Sequence, residues 1–408
     1  MNFLYFYHFS FIKNGFFIYN IQILRYFRRI LRSSARNTRL KKAEKALRVC
    51  YFLDSFESGG IESFLTELIL HLPKSINADI VAKRIGKSIF SERLADCGVR
   101  FFELSGKSHS QKNPRRFARL LQEEKYDAVH LNIFNAFDLR YAKIAKREGV
   151  SIRIAHAHGA GLRKSATLHF KMLIHRLSAL FLLKYATVTL ACSPVAARFV
   201  FRKEADGYIK NGIDTGRFAY SEEKRQKIRN RLSLDGKVVI GHVGRLSSEK
   251  NQSFLLEITR EFRSICSECV LLLAGDGEDR DRLYELSERL GIGKSVIFYG
   301  NASEVEELYS AMDIFIFPSL FEGFGIAALE AQCSGLPVIC SEGVPSEAII
   351  CENALRMPLS DGAKKWAEAA LEMLSKASGR KSRCDQIKDA GYDIKKTALE
   401  VRKYYEST

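Results

Sequence analysis

Two basic side chains lie close together in the segment GRLSSEKN at positions 244–251. This segment follows an apolar run and precedes a stretch with helical spacing, so it is predicted to be a strand-to-helix loop. Arg245 offers a planar fork of donors and Lys250 a compact ammonium, and both groups bind phosphate oxygens. Two cations on one loop can reach the same diphosphate. For this segment alone, a solvated loop with incidental charges is the alternative.

A second candidate segment, FPSLFEGFGIAALEA, spans positions 317–331 and runs from a strand through a tight turn into a helix. Gly323 and Gly325 allow close approach to the backbone, and the helix start offers unpaired amides to an anion. Glu322 is expected at the mouth of the turn and Glu330 two turns into the helix. Carboxylates accept hydrogen bonds from vicinal hydroxyls, so this pair could hold a ribose and a hexose along one ligand.

Two further segments place polar groups at strand ends in the first half of the chain. Gly59 and Gly60 form a turn after the first predicted strand, where amides approach a distal phosphate. An ordinary turn is the alternative. His156 and His158, in IAHAHG, end another strand, and a ring nitrogen there could contact a sugar. For these two residues, the alternative is one core histidine and one surface histidine.

Short apolar runs alternate with helical segments from residue 47 onward, which predicts βαβ units and parallel sheets. Strands are predicted at 47–53, 78–83, 127–131, 151–155, 186–191, 237–243, 269–274, 295–299, 313–317 and 337–340. Helices are predicted at 61–72, 115–124, 251–265, 279–290, 303–311 and 325–334. A polar stretch places the domain boundary near 205–215. Ligands of open α/β sheets bind at the carboxyl ends of strands, so the candidate residues should face one cleft.

Bulk composition limits the class of protein. The 408 residues suffice for two or three domains of roughly 100–200 residues each. The hydrophobic fraction of 46% and the charged fraction of 27% match an ordinary globular protein, not a disordered or polytopic membrane protein. Nine scattered cysteines, an odd number, are typical of reduced, mostly buried thiols in a cytosolic protein.

No metal site is predicted from the sequence. Cys266 and Cys269 form the only CxxC, without a second pair or a suitably spaced histidine for zinc. The DxD at 279–281 falls in a predicted helix away from the candidate loops, so it is interpreted as surface charge.

Basic residues are concentrated at the amino terminus. Residues 1–48 hold eleven basic side chains and one acidic, a net of +10 out of +17 for the whole chain. This distribution argues against a nucleic-acid-binding globular part. Residues 3–24 are aromatic and aliphatic but too polar for a spanning helix, so a helix lying on an anionic membrane surface is predicted. A signal peptide is disfavoured because the charge follows the apolar run; an extension without a role stays open.

Taken together, these motifs resemble glycosyltransferase family 4, which has the GT-B fold, over about residues 48–405. The most specific pieces are HVGRLSSEKN at 242–251, LLLAGDGEDRDRL at 271–283 and FPSLFEGFGIAALEAQCSGLPVI at 317–339. The last matches the family's Glu-x7-Glu signature through Glu322 and Glu330. IKNGID resembles the opening of the second domain, and SGGIESFL and RIAHAHG are similar to segments of bacterial capsular and exopolysaccharide transferases.

The resemblance implies an α/β protein of GT-B fold, with two Rossmann-like doubly wound domains facing each other across a cleft. Residues 1–47 would be the basic aromatic leader and 48–205 an acceptor domain. Residues 206–385 would bind the nucleotide sugar. The stretch 386–408 would hold a helix that packs back on the N-terminal domain.

The resemblance also implies a retaining transfer of a hexose or N-acetylhexosamine from a nucleotide diphosphate sugar, a UDP-sugar first, without a cofactor or metal ion. Arg245 and Lys250 would neutralise the diphosphate, and Glu330 would hold the ribose. Glu322 and His158 would face the donor sugar. The predicted catalytic residues are Glu322, Arg245, Lys250 and His158, and the predicted donor-binding residues are Gly59, Gly60, Gly244, Gly323, Phe324, Gly325, Ile326 and Glu330.

The implied acceptor is a lipid-linked saccharide in capsule, exopolysaccharide or lipopolysaccharide synthesis. The protein would be cytoplasmic and attached peripherally to the inner face of the plasma membrane, with no nucleic-acid partner. The apolar segment 162–185, studded with basic residues, is either a core helix with a basic rim or a membrane-facing helix. A nucleotide-sugar epimerase or phosphorylase on the same fold stays open, as does a non-catalytic basic protein that binds membrane or nucleic acid.

Overall fold

Two parallel β-sheets follow one another along the chain in the computed structural model, which describes residues 46–57, 59–86, 88–159, 161, 167–377 and 379–406. Residues 1–45 of the predicted leader lie outside the described residues. The strands of the first sheet are β1 (Leu47–Phe56), β2 (Ile76–Ile85), β3 (Arg100–Glu103), β4 (Ala128–Ile133), β5 (Ile152–Ala157), β6 (Val188–Ala191) and β7 (Gly207–Tyr208). Their order is β3-β2-β1-β4-β5-β6-β7, and neighbouring strands pair in parallel.

The second sheet repeats this winding with six strands. They are β8 (Val238–Val243), β9 (Cys269–Ala274), β10 (Val296–Gly300), β11 (Ile314–Phe317), β12 (Val338–Ser341) and β13 (Ala354–Met357). Their order is β10-β9-β8-β11-β12-β13, again with parallel pairs. In each sheet the strand order reverses direction beside the first strand, which is the arrangement of a doubly wound fold. The predicted fold class is therefore confirmed.

Helices connect the strands and cover both faces of each sheet. In the first half they are α1 (Gly60–Leu70), α2 (Ile89–Ala95), α3 (Asn113–Glu124), α4 (Arg140–Arg147), α5 (Leu168–Leu182) and α6 (Pro194–Phe201). In the second half they are α7 (Glu222–Leu232), α8 (Gln252–Ile265), α9 (Arg280–Arg289), α10 (Val305–Ala311), α11 (Ile326–Cys333), α12 (Gly362–Lys376), α13 (Cys384–Asp389) and α14 (Ile394–Glu406). Short 3-10 turns complete several connections.

The central strands are apolar along their whole length because helices cover both faces. All six residues of β9, CVLLLA, are buried, and so are all six of β4. Such continuous apolar runs made these strands visible in the sequence. The strands that the sequence did not reveal are β3, β7 and β13, which lie at sheet edges and are partly exposed. An edge strand covered only in part needs no continuous apolar run.

The last helix returns to the first sheet. The start of α14 is joined to the segment that follows β7, because the amide of Ile394 donates to the carbonyl of Ile213 at 3.0 Å. Along α14, the side chains of Ile394, Ala398, Val401 and Tyr405 are buried in the same core as Tyr51 of β1. The Tyr405 hydroxyl donates to the Tyr51 hydroxyl at 2.6 Å. Helix α14 thus completes the hydrophobic core on one face of the first sheet.

The described ranges contain all nine cysteines as free thiols, five of them buried. Burial raises the pKa of several of them, including Cys269 to about 12. No helix in these ranges is both long and apolar enough to cross a bilayer.

Packing of α14 on the first sheet can be tested with two substitutions on that helix. Ile394→Ala empties a fully buried position, and loss of burial plus a cavity costs about 2–5 kcal/mol. We expect the thermal midpoint to fall by roughly 4–10 °C. Leu399→Ala, at a position that is 56% exposed, should leave the midpoint within about 1 °C. Equal midpoints for the two variants, measured by calorimetry, would contradict this packing.

Candidate active site

A cleft of about 510 Å³ lies between the carboxyl ends of the two sheets. The loops after β1, β5, β8 and β11 and the start of α11 line it. Because parallel strands end at the same sheet edge, these loops converge although they are far apart in sequence. The twelve predicted site residues all line this cleft: Gly59, Gly60, His158, Gly244, Arg245, Lys250, Glu322, Gly323, Phe324, Gly325, Ile326 and Glu330.

The basic loop after β8 is held close to the loop after β9. A Cβ atom at Gly275 would lie 2.0 Å from the carbonyl oxygen of Gly244, so only glycine permits this approach. Lys250 lies next to Gly244, and its ammonium donates to Glu322 Oε1 at 2.6 Å. The same ammonium lies 5.0 Å from the ring centre of Phe317. Lys250 is therefore fixed at the point where the two candidate motifs meet.

Arg245 occupies a more open position than Lys250. Its side chain is 52% exposed, and its Nε donates to Glu278 Oε2 at 3.2 Å. Across the cleft, Nη1 lies 3.8 Å from Glu57 Oε2, a residue of the first half. An exposed pair of this kind contributes little to stability. The guanidinium is thus available to exchange these carboxylates for a ligand anion.

The start of α11 presents backbone donors to the cleft. Gly325 precedes the helix with a φ of +94°, and no side chain caps the helix. The amide of Ala328 donates a hydrogen bond to the carbonyl of Gly325 at 3.0 Å. Ile326 and Ala327, in the first turn, have no acceptor one turn earlier in the helix. Together with the helix dipole, these amides favour an anion at this end of the cleft.

Glu330 lies one turn into α11, so the expectation of two turns is wrong. The helix begins only at Ile326 because Gly325 has a left-handed conformation that ends the preceding turn. The carboxyl is buried and accepts a hydrogen bond from the Tyr309 hydroxyl at 2.8 Å. Burial raises the pKa of Glu330 to about 7, against the opposing effects of Tyr309 and Arg217. This carboxyl is therefore poised to ionise near neutral pH.

The opposite wall is formed by the turn after β1. A Cβ atom at Gly59 would lie 2.5 Å from Glu62 Oε2, and one at Gly60 would lie 3.7 Å from the side chain of Ile326. Gly60 therefore faces Ile326 of the other half across the cleft. Glu62, which the sequence analysis did not single out, also lines the cleft, and burial raises its pKa.

His158 directly follows β5 and has a defined tautomer. Its Nε2 donates to Asn132 Oδ1 at 3.1 Å, while Asn132 Nδ2 faces the carbonyl of Phe52 at 3.5 Å. Nδ1 therefore carries the lone pair, and it has no hydrogen-bond partner among the described residues. Burial lowers the pKa of His158 to about 3, so the ring is neutral. It offers a hydrogen-bond acceptor rather than a positive charge.

His156 belongs to the core and not to the cleft. It is fully buried, and its Nδ1 lies 3.1 Å from Nε2 of His130, whose Nδ1 lies 2.6 Å from the hydroxyl of Tyr405. His156 is therefore the core histidine of the alternative stated above, and it does not contact a sugar in the cleft. The other alternative, a surface position for His158, is wrong because that ring is buried as well.

Arg217 was missed by sequence reasoning although it lines the cleft. Its guanidinium contacts Glu67 of α1 at 2.7 Å and Glu306 of α10 at 2.8 Å, and thereby links the two halves. The bonded pairs lie 150 and 89 residues apart, so no local spacing could show them. Tyr309 was not predicted either, because its hydrogen bond to Glu330 also joins residues that are not neighbours in sequence. Gly275 is different, because the AGDG segment after β9 does carry a glycine signal.

One group of side chains in the described ranges has metal-ligand atoms within 4.8 Å of one another, namely Glu67, His71 and Asp214. Glu67 already contacts Arg217 and, at 2.9 Å, Arg93. Two guanidiniums balance this carboxylate, so the group is an ion-pair network between the halves. The DxD at 279–281 does not line the cleft, and Asp279 pairs with Arg282 at 2.9 Å.

Two family models match this chain, one in each half. Residues 58–217 match glycosyltransferase family 4, and residues 224–392 match glycosyl transferases group 1. The Bacillus subtilis protein named glycosyltransferase EpsF is 29% identical over 367 residues, which cover 85% of this chain and 93% of EpsF. An Escherichia coli enzyme, UDP-Gal:alpha-D-GlcNAc-diphosphoundecaprenol alpha-1,3-galactosyltransferase, is 31% identical over 238 residues, 55% of this chain and 59% of that enzyme.

Solved structures show the same fold. Anabaena HepE in complex with UDP-glucose superposes with a TM-score of 0.72 at 20% identity, over 89% of this chain and all of that chain. WaaG, a glycosyltransferase involved in lipopolysaccharide biosynthesis, superposes with a TM-score of 0.65 at 16% identity, over 88% of this chain. With both halves matched by family models, the chain belongs to the family 4 type of GT-B glycosyltransferases and is a glycosyltransferase enzyme.

Proposed function

We propose that this enzyme transfers a hexose or N-acetylhexosamine, with retention of configuration, from a nucleotide diphosphate sugar to a lipid-linked saccharide. The observation that carries the proposal is the grouping of Arg245, Lys250 and the start of α11 on one wall of the cleft. Glu330 lies one turn beyond, at a depth suited to a ribose. A UDP-sugar is the first donor to test, because the Escherichia coli relative is named for UDP-Gal and HepE was solved with UDP-glucose.

Charge balance explains how this wall would receive a diphosphate. In the described structure, the Glu322 carboxylate is paired with the Lys250 ammonium, and the Glu278 carboxylate is paired with the Arg245 guanidinium. A diphosphate brings more negative charge than either carboxylate and adds bonds to the amides of α11. Lys250 would then bridge the phosphate and Glu322. Two cations and a helix start supply the positive charge for the leaving group, so we propose transfer without a metal ion or cofactor.

A same-face substitution fits this arrangement. The bond from the anomeric carbon to the phosphate oxygen breaks while the acceptor hydroxyl attacks from the same side, and a phosphate oxygen takes the acceptor proton. The developing charge on the diphosphate is held by Arg245, Lys250 and the amides at 323–326. The neutral ring of His158 lines the cleft and would face the sugar, and its buried Nδ1 has no hydrogen-bond partner among the described residues.

The proposed acceptor is suggested by the relatives' names. The Escherichia coli relative acts on a diphosphoundecaprenol-linked sugar, and another relative, LpsB of Rhizobium meliloti, is named for lipopolysaccharide core biosynthesis. We propose a role in capsule, exopolysaccharide or lipopolysaccharide synthesis. The enzyme would work at the inner face of the plasma membrane, attached peripherally to anionic lipids, with no nucleic-acid partner.

A panel of nucleotide sugars tests the reaction class. Each donor is first screened for thermal stabilisation, because a ligand that binds the folded state raises the midpoint. Mass analysis then follows the stabilising donor with and without a lipid-linked acceptor. Release of free nucleoside diphosphate with sugar on the acceptor supports transfer. Interconversion of two nucleotide sugars would instead indicate an epimerase, and phosphate-dependent cleavage a phosphorylase.

Removing Lys250 tests the charge on the leaving group. We expect Lys250→Ala to lower kcat by roughly 10²- to 10³-fold, comparable to the loss of one oxyanion donor. Arg260→Ala is a matched control, since its side chain is 50% exposed, like that of Arg245, but pairs with Glu261 outside the cleft. It should retain full turnover. Intact transfer in the double variant Arg245→Ala, Lys250→Ala would overturn the proposed function.

The raised pKa of Glu330 predicts pH-dependent donor binding. Below pH 7 the carboxyl is mostly neutral, and above pH 7 it is the carboxylate that accepts hydrogen bonds from both ribose hydroxyls. The affinity for the nucleoside diphosphate should therefore rise with pH through about 7, by up to about tenfold per pH unit on the acid side. Titration calorimetry between pH 5.5 and 8.5, a range set by about 1.5 units around that pKa, measures this slope. Glu330→Gln should lack this component of the slope, and superimposable profiles would contradict the assignment.

Asn132 is predicted to act as a positioning residue for His158. Asn132→Ala frees the ring to change tautomer, and the loss of one hydrogen bond corresponds to about tenfold in kcat. Asn132→Asp keeps the acceptor, but its negative charge should raise the pKa of His158 and shift the acid limb of the pH–rate profile upward. Thermal midpoints control for folding. Wild-type kcat and an unchanged pH profile in both variants would exclude this role.

A further inference from the structure

Helix α5 exposes an unusual amount of apolar surface. Six of the sixteen large hydrophobic side chains that are exposed in the described ranges lie on this one helix: Phe170, Leu173, Ile174, Leu177, Leu180 and Phe181. At about 100° per residue they share an arc of roughly 120°. A soluble helix normally turns such a stripe toward the core. Here the stripe faces outward, so the core helix, which was one of the two alternatives for this segment, is wrong.

The buried side of α5 explains this orientation. Only His175 and Ala179 are buried, and they lie roughly opposite the apolar arc. Nε2 of His175 donates to the carbonyl of Phe199 at 2.8 Å, and Nδ1 accepts from the amide of Ala136 at 3.1 Å. Both ring nitrogens are thus bonded to backbone groups of neighbouring elements. This bonding fixes the rotation of α5 with its apolar stripe exposed.

A basic cluster adjoins the carboxyl end of the same helix. The ammonium groups of Lys143, Lys146 and Lys184 lie 5.8, 5.7 and 5.6 Å from the ring centre of Tyr185. Tyr185, Arg140 and Arg147 line a groove with the two α4 lysines. Arg147 is paired with Glu148 at 2.8 Å, and Arg140 lies 3.8 Å from Asp138. The lysines around Tyr185 leave this end of the helix positively charged.

We infer that α5, with the lysines around Tyr185, forms a docking surface for an anionic lipid bilayer. The apolar stripe matches the acyl boundary, and the adjacent lysines match anionic headgroups. The positive charge of the lysines around Tyr185 therefore favours an anionic bilayer over an apolar protein partner, because an apolar partner would have no use for the lysines. The helix is too short to span a bilayer, so it lies in the interface.

The helix that carries this surface packs beside a segment that lines the cleft. Phe134, which follows β4, lines the cleft and is 47% exposed. The next residues, Ala136 and Phe137, contact α5 through His175. These contacts are on the buried side of α5, so a bilayer seated on the stripe would be separated from this segment by the thickness of the helix, about 10 Å. A lipid-linked acceptor would enter the cleft from that side. This inference rests on the proposed membrane location and names the surface responsible for it.

A tryptophan reporter in the full chain tests this surface. The protein has one tryptophan, Trp366, which is fully buried, so an added tryptophan reports its own surroundings. Leu177→Trp places it at the centre of the stripe, and Tyr284→Trp, at a 57% exposed site in the second half, is the control. The probes are vesicles of phosphatidylglycerol and brominated phosphatidylcholine, compared with brominated phosphatidylcholine alone. We expect a blue shift and quenching for Leu177→Trp on the anionic vesicles only, and neither for Tyr284→Trp.

Substitutions measure the energy of docking. Leu177→Gln and Phe181→Gln should each weaken partitioning onto anionic vesicles by roughly tenfold or more. Lys146→Gln and Lys184→Gln should each weaken it by about fivefold. Ile265→Gln and Leu399→Gln, at exposed apolar sites elsewhere, should leave it unchanged.

Three results would overturn the inference. The first is vesicle binding without quenching of Leu177→Trp, which would assign attachment to another part of the chain. The second is no binding to anionic vesicles. The third is a blue shift without lipid together with a doubled mass, which would indicate a second copy on the stripe. Donor turnover without vesicles is measured for every variant. If the wild-type chain has no donor turnover, the result counts against the proposed function. If turnover is normal but the chain does not bind vesicles through α5, the result counts only against this surface.

Discussion

Every functional feature of this enzyme depends on two parallel sheets presenting their carboxyl ends to one cleft. The loops after β1 and β5 in one half and after β8 and β11 in the other carry the candidate residues. Neither half alone encloses a ligand. The ion pairs of Arg217 with Glu67 and Glu306, together with α14, join the two halves and so maintain the spacing between the walls.

Within the cleft, two carboxyl groups of one motif have different electrostatic surroundings. Glu322 has the Lys250 ammonium at 2.6 Å. Glu330 is buried in the wall of the cleft with the Tyr309 hydroxyl as its hydrogen-bond partner, and burial raises its pKa to about 7. The seven residues between them include the left-handed Gly325, which turns the chain from the open mouth of the cleft into the helix. One short segment thereby supplies a carboxyl group paired with the Lys250 ammonium and a second carboxyl group that titrates near neutrality.

Much of the fold could be predicted because the central strands are buried on both faces and read as continuous apolar runs. The edge strands β3, β7 and β13 could not, since partial exposure removes that signal. The glycine-rich turns and the cations of the cleft were predictable for a related reason, as their chemistry lies in local spacing at strand ends. Arg217 and Tyr309 could not be predicted, because their partners come from distant parts of the chain.

Helix α5 shows where sequence reasoning ends. Its composition established a helix with apolar and basic sides, but an apolar stripe packs equally well against a core or a bilayer, and periodicity does not distinguish them. The rotation was decided by His175, whose bonds to Ala136 and Phe199 depend on the packing of three separate elements. By itself, then, the sequence determined the enzyme family, the fold of two doubly wound halves and twelve of the residues that line the cleft, because these follow from local pattern. Only the tertiary structure decided which faces are exposed, which carboxyl titrates near neutrality and which side chains join the halves, because burial and long-range contacts exist only once the chain has folded.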